Sequence, residues 1–102
     1  MQLVAEEIRL SNPDPDAGDN IKVYVKIYNS GETLKNVWIF FYWVPELVFN
    51  NQQFQKYLNP EYEIHKEFFE EFDSKTQKTV VFDWIVKEGF KGLFVYAESQ
   101  TK

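Results

Sequence analysis

The sequence predicts an all-β domain, an antiparallel sandwich of about seven strands filling residues 1–102 as a single domain. Three observations carry this. The aromatic share is 19%, with ten Phe, six Tyr and three Trp, and these large side chains favour strands and bury wide areas. Two stretches alternate cleanly: IKVYVKIY (21–28) and KTVVFDWIV (78–86), the period of a sheet with one buried face. Finally, the strand-like runs are 6–10 residues long and separated by Gly, Pro and Asn turns, a spacing typical of sandwiches. A parallel sheet would need helical crossovers, for which the chain has room at most once.

The chain begins with LVAEEIRL (3–10), apolar at Leu3, Val4, Ala5, Ile8 and Leu10. SNPDPDAGDN follows, where Pro13 and Pro15 forbid a central strand and Gly18 offers a left-handed position. In 21–28, Ile21, Val23, Val25 and Ile27 take one face, and Lys22, Tyr24, Lys26 and Tyr28 the other; Asn29-Ser30-Gly31 then turns the chain. NVWIFFYWV (36–44) is a third strand, stopped by Pro45. The middle segment, 45–72, is longer and less regular. Asn50, Asn51, Gln52, Gln53 and Gln55 are mixed there with Phe49, Phe54, Tyr57 and Leu58. Its last part, EYEIHKEFFEEF (61–72), has two readings. Asn59 with Pro60 suits a helix start, placing Ile64, Phe68 and Phe72 on one stripe; an antiparallel topology favours a strand. Near the end, EGFKG connects 78–86 to LFVYAE (93–98), and a short link bearing Gly predicts a hairpin.

Composition excludes several functions. A net charge of −5 opposes nucleic acid, which requires a basic footprint, and opposes docking on anionic lipid. The absence of cysteine removes disulfides, thiolate metal sites and a cysteine nucleophile. No apolar run is long enough to span a membrane as a helix, so direct insertion is not expected. Met1 leads at once into strand-like sequence without a signal peptide's pattern. We therefore expect a module of a longer protein whose export signal lies elsewhere.

The order of these pieces resembles the CARDB family, cell-adhesion-related modules of bacteria and archaea. The matching residues are the Pro13-to-Gly18 turn with Asp19 opening a strand, IKVYVKI running into Asn29-Ser30-Gly31, the apolar NVWIFFY, and TVVFDW followed by LFVYAE. The chain departs from the family pattern at Asp73-Ser74-Lys75, where a glycine is usual, and in its longer middle segment. The resemblance implies an immunoglobulin-like sandwich and an extracellular or cell-surface role, often in tandem arrays. It implies no catalytic activity and no cofactor. With seven strands the chain would enter at one end of the sandwich and leave at the other, as a spacer requires.

NVWIFFYWV raises the functional question, because it is apolar on both faces. Its alternation sends Val37, Ile39, Phe41 and Trp43 to the core and Trp38, Phe40 and Tyr42 outward. In an immunoglobulin-like sandwich this strand would share a sheet with 78–86 and 91–98, adding Val81, Ile85, Phe94 and Tyr96 to an outer apolar face. Such a face exceeds the scattered exposure every protein tolerates. It is covered by the 46–72 segment, or docks on a neighbouring domain or another surface protein, or stacks on a glycan. The candidate binding residues are Trp38, Phe40, Tyr42, Phe94 and Tyr96.

Other candidates are weaker. Asp14, Asp16 and Asp19 are oxygen ligands of the kind Ca²⁺ prefers, but the closing bidentate Glu is missing and turn chemistry accounts for them more simply. His65 has no second histidine or cysteine to complete a metal site, and reads as a solvent-facing residue among Glu63, Lys66 and Glu67. Ser11, Ser30, Ser74 and Ser99 lack a nucleophile-elbow context. The pairs Glu6-Glu7 and Glu70-Glu71 point to opposite strand faces and cannot flank one bond. The expectation is a non-catalytic adhesion or spacer module, with carbohydrate binding through the aromatic face as the alternative.

Overall fold

A computed structural model describes residues 3–46, 52 and 55–99. Those residues form six strands: β1 (Leu3–Leu10), β2 (Asn20–Asn29), β3 (Leu34–Val44), β4 (Glu63–Phe72), β5 (Gln77–Ile85) and β6 (Gly92–Glu98), with one 3-10 turn at Gln55–Tyr57. They pair antiparallel into two three-stranded sheets, ordered β1-β2-β5 and β4-β3-β6. The sandwich is all-β, with six strands rather than seven among the described residues.

The inward face of each strand is the one its alternation marks. Ile21, Val23, Val25 and Ile27 of β2 meet Val80, Phe82 and Trp84 of β5 and Val37, Ile39 and Phe41 of β3 in one buried cluster. Burying each such side chain contributes about 1.5–3 kcal/mol before ordering costs. Trp43 lies on the same side, its ring centroid 6.5 Å from that of Trp84.

Two expectations are corrected. The stretches 78–86 and 93–98 do not form a hairpin, and 78–86 does not share a sheet with β3. β5 pairs along its length with β2, from Asn20↔Ile85 to Tyr28↔Gln77, while β6 pairs with β3. Between them the chain crosses from one sheet to the other. Val86 N donates to Asp19 O on one side, and Lys91 N donates to Val44 O on the other, with Gly89 at φ 89° in the passage. A short glycine link suits either a hairpin or a sheet-to-sheet crossing, and here it makes the crossing, with β5 in register along β2. The 63–72 stretch is a strand; its paired phenylalanines send Phe69 to the core side and Phe68 to the outer face.

The corner between β2 and β3 is built on Asn29, which is fully buried. Its Nδ2 donates to the carbonyls of Glu32, Phe72 and Asp73, and its Oδ1 accepts from Gly31 N. Lys75 sits at φ 59°, a left-handed position in the β4–β5 turn. Leu3 pairs with Asn29, so β1 starts at this end, while β6 runs back toward it and stops beside Trp38 near the middle of β3. The six strands among the described residues therefore do not make the end-to-end passage expected of seven.

Candidate functional site

The outer face of the β4-β3-β6 sheet is a grid set by register. Phe68, Trp38 and Glu98 form one row across the three strands; Lys66, Phe40 and Tyr96 form the next; Tyr42 and Phe94 follow on β3 and β6. The rings are in contact: Trp38 to Phe68 at 4.9 Å between centroids, Trp38 to Phe40 at 6.3 Å, Phe40 to Tyr96 at 6.3 Å. Lys66 Nζ lies 5.5 Å from the Trp38 ring centroid, a distance at which the cation is drawn to the ring face.

The face is divided. At one end Tyr42, Val44 and Tyr57 are buried together, with Phe40, Leu58, Tyr62 and Phe94 against them. The 3-10 turn thus lays Tyr57 and Leu58 over β3 and β6. Its Tyr57 hydroxyl donates to the Glu46 carboxylate just beyond β3, and Lys56 Nζ reaches the same oxygen at 3.3 Å. The carboxylate pushes the Tyr57 phenol up to about 12, while the hydrogen bonds from Tyr57 and Lys56 hold Glu46 below the usual carboxylate range. Burial, with Glu63 and Glu98 near, raises the Tyr42 phenol as well.

At the other end the rings stay open to solvent: Trp38 is 39% exposed, Phe68 40% and Tyr96 37%. Asn36, Glu98 and Ser99 border Trp38 and Tyr96 in a shallow groove. Of the sequence candidates, Trp38 and Tyr96 are therefore available, Phe40 is half-buried between them, and Tyr42 and Phe94 lie under the strap. Val81 and Ile85 are exposed but belong to the opposite sheet. Phe49 and Phe54, expected to help cover the face, lie outside the described residues. Phe68 belongs to the 46–72 segment, one of the alternatives for covering this face, and instead forms part of the face, while Lys66 was not a candidate; fixing 63–72 as a strand opposite β3 places both beside Trp38.

The remaining candidates do not assemble. Asp19 Oδ2 accepts from Asp16 N at 2.9 Å, and Asp14 N donates to Asn12 Oδ1 at 3.1 Å, so the Asp19 and Asn12 side chains organise the turn through backbone amides. No group of three or more His, Cys, Asp or Glu side chains converges on a metal position among the described residues. His65 is not solvent-facing, which corrects the expectation. It is half-buried, stacked on Phe82 at 4.4 Å and 10°, with Nε2 2.9 Å from Glu67 Oε1. Position 65 pairs with Phe41, and that register turns the ring toward the gap between the sheets.

No family model, curated protein or solved structure matches the chain. The functional reading therefore rests on the geometry of this face.

Proposed function

We propose that the domain is a non-catalytic adhesion module of an exported or cell-surface protein, of the kind the resemblance to the CARDB family implies. Its working surface is the open half of the β4-β3-β6 face. The observation that carries this is the contiguous patch of Trp38, Phe68 and Tyr96, left uncovered on a sheet whose other half is roofed by Tyr57 and Leu58. Apolar side chains of that size, grouped and rimmed by Lys66, Asn36 and Glu98, match the anatomy of a protein-binding patch: aromatic centre, polar border.

A glycan platform is the second reading, favoured by the groove that sets Asn36, Glu98 and Ser99 beside Trp38 and Tyr96. One experiment separates the two. Beads carrying the chain are presented to cell surfaces pretreated with protease or with glycosidases. Adhesion lost after protease, and lost in Trp38→Ala/Tyr96→Ala, supports the protein-binding reading. Loss only after glycosidase selects the glycan reading, and adhesion untouched by the double substitution overturns both.

A further inference from the structure

Among the described residues the two sheets have four edge strands, β1, β5, β4 and β6, and three of them carry devices that discourage pairing. β1 has a register shift between Ala5 and Glu7, with Glu6, Glu7 and Arg9 along it. β4 reads EIHKEFFEEF, charged on both faces. β5 carries Lys78 and Asp83, and Asp83 is held by Lys22 at 3.0 Å. The edge strand β6 reads GLFVYAE and has no charge from Gly92 to Ala97. Charges and bulges are how edge strands avoid each other, and a neutral, aromatic-rich edge without them is open to pairing.

The two open sides of the sandwich also differ. Between β4 and β5 the gap is sealed by rings: His65 on Phe82, and Lys78 Nζ 5.2 Å from the Phe69 centroid. Between β1 and β6 lies a cleft of about 50 Å³ bounded by Leu3, Ala5, Ile27, Ile39, Val95 and Ala97. It reaches core side chains, and no ring among the described residues lines it.

We propose that β6 pairs antiparallel with β6 of a second copy, joining two three-stranded sheets into one of six strands. A two-fold axis perpendicular to the sheet keeps both cores on the same side, so residues that face each other must belong to the same face. Placing Val95 opposite itself meets this condition. Phe94 then falls opposite Tyr96 on the outer face, an aromatic cross-strand pair. Leu93 falls opposite Ala97 on the inner face, so the larger side chain of one copy points into the cleft beside the smaller one of the other. Glu98 falls opposite Gly92, one residue from the second copy's Lys91, and no like charges meet along the strand. This match of size and charge makes a second copy the occupant. The inference goes beyond the adhesive face, since it uses the edge of β6; of the adhesive residues it engages Tyr96 alone and leaves Trp38 and Phe68 exposed.

The test is sedimentation of the intact chain from micromolar to millimolar concentration, with amide exchange read at β6. The expected result is a doubling of mass as concentration rises, accompanied by slower exchange in β6. Val95→Lys and Val95→Glu, each placing like charges on the axis, weaken association by about tenfold or more, and an equimolar mixture of the two restores it. Mass that stays monomeric overturns the proposal, as does a dimer whose β6 amides exchange unchanged, or variants that associate like the wild type. Stacking through the aromatic face gives a different pattern: Trp38 shielded from iodide and β6 exchange unaltered. If the charged variants do not fold by circular dichroism, the wild-type exchange result decides alone.

Discussion

Asn29 Nδ2 donates to the carbonyl of Phe72 at 3.0 Å, across 43 residues of sequence. The bond ties the end of β2 in one sheet to the end of β4 in the other, at a corner where Phe72 itself is fully buried. Lys75 N donates to Asn29 O, and Asn29 N donates to Thr76 O, so the β4–β5 turn is fastened to the same residue. Asn29 is the one buried polar residue among those described.

Asn29→Ala leaves the carbonyls of Glu32, Phe72 and Asp73 without this donor and should cost about 2–3 kcal/mol, the penalty for buried groups losing partners. Urea unfolding followed by tryptophan fluorescence measures it. A loss under about 0.5 kcal/mol would mean that water replaces the amide freely.

Neighbouring aromatic residues of β3 should behave oppositely. Phe41 is buried, with its ring centroid 5.1 Å from that of Phe82, so Phe41→Ala should destabilise by about 3–5 kcal/mol. Trp38→Ala removes a side chain that remains 39% exposed and should cost less than about 1.5 kcal/mol. Equal losses at the two sites would show that Trp38 is buried in solution, which removes the basis for an adhesive face.

His65→Ala should lower stability by about 1–2 kcal/mol, because the ring stacks on Phe82 and closes the side of the sandwich. His65→Phe, which keeps a flat ring there, should recover most of the loss. Recovery by a polar, non-aromatic residue would point instead to the contact with Glu67.

The strap has a pH window set by its two titrating groups. Glu46 is held below its ordinary value of 4.5, so the stability it contributes is present above that value and is lost as pH falls through the depressed one. Tyr57 is raised from 10.0 to about 12, so its contribution is complete below pH 10 and disappears as pH rises toward 12. Ultraviolet titration of phenolate should find one tyrosine ionising about two units late, and Tyr57→Phe should remove that step. If the late step survives, another tyrosine owns it.

Much of this was legible in the chain. The alternation of 21–28 and 78–86 placed their inward residues correctly, and the run 36–44 divided its two faces as the structure has them. Local pattern sufficed there because a strand's side chains alternate whatever their neighbours do. The helix or strand character of 61–72 could not be settled locally, since Ile64, Phe68 and Phe72 fit a helical stripe as well as a broken alternation. His65 was misread for a related reason: its charged neighbours suggested solvent, but a strand places adjacent residues on opposite faces.

What the sequence by itself determined is that 21–28, 36–44 and 78–86 are strands, which side of the first and last is apolar, and that β3 is apolar on both sides. Tertiary structure alone decided which strands lie side by side. Backbone pairing is made of the same N–H and C=O groups in every strand, so nothing in 78–86 says that its neighbour is β2 and not β6; only the combined fit of register and core does. That choice splits the expected apolar face between two sheets, leaves Trp38, Phe68 and Tyr96 open together, and puts the uncharged β6 at an edge.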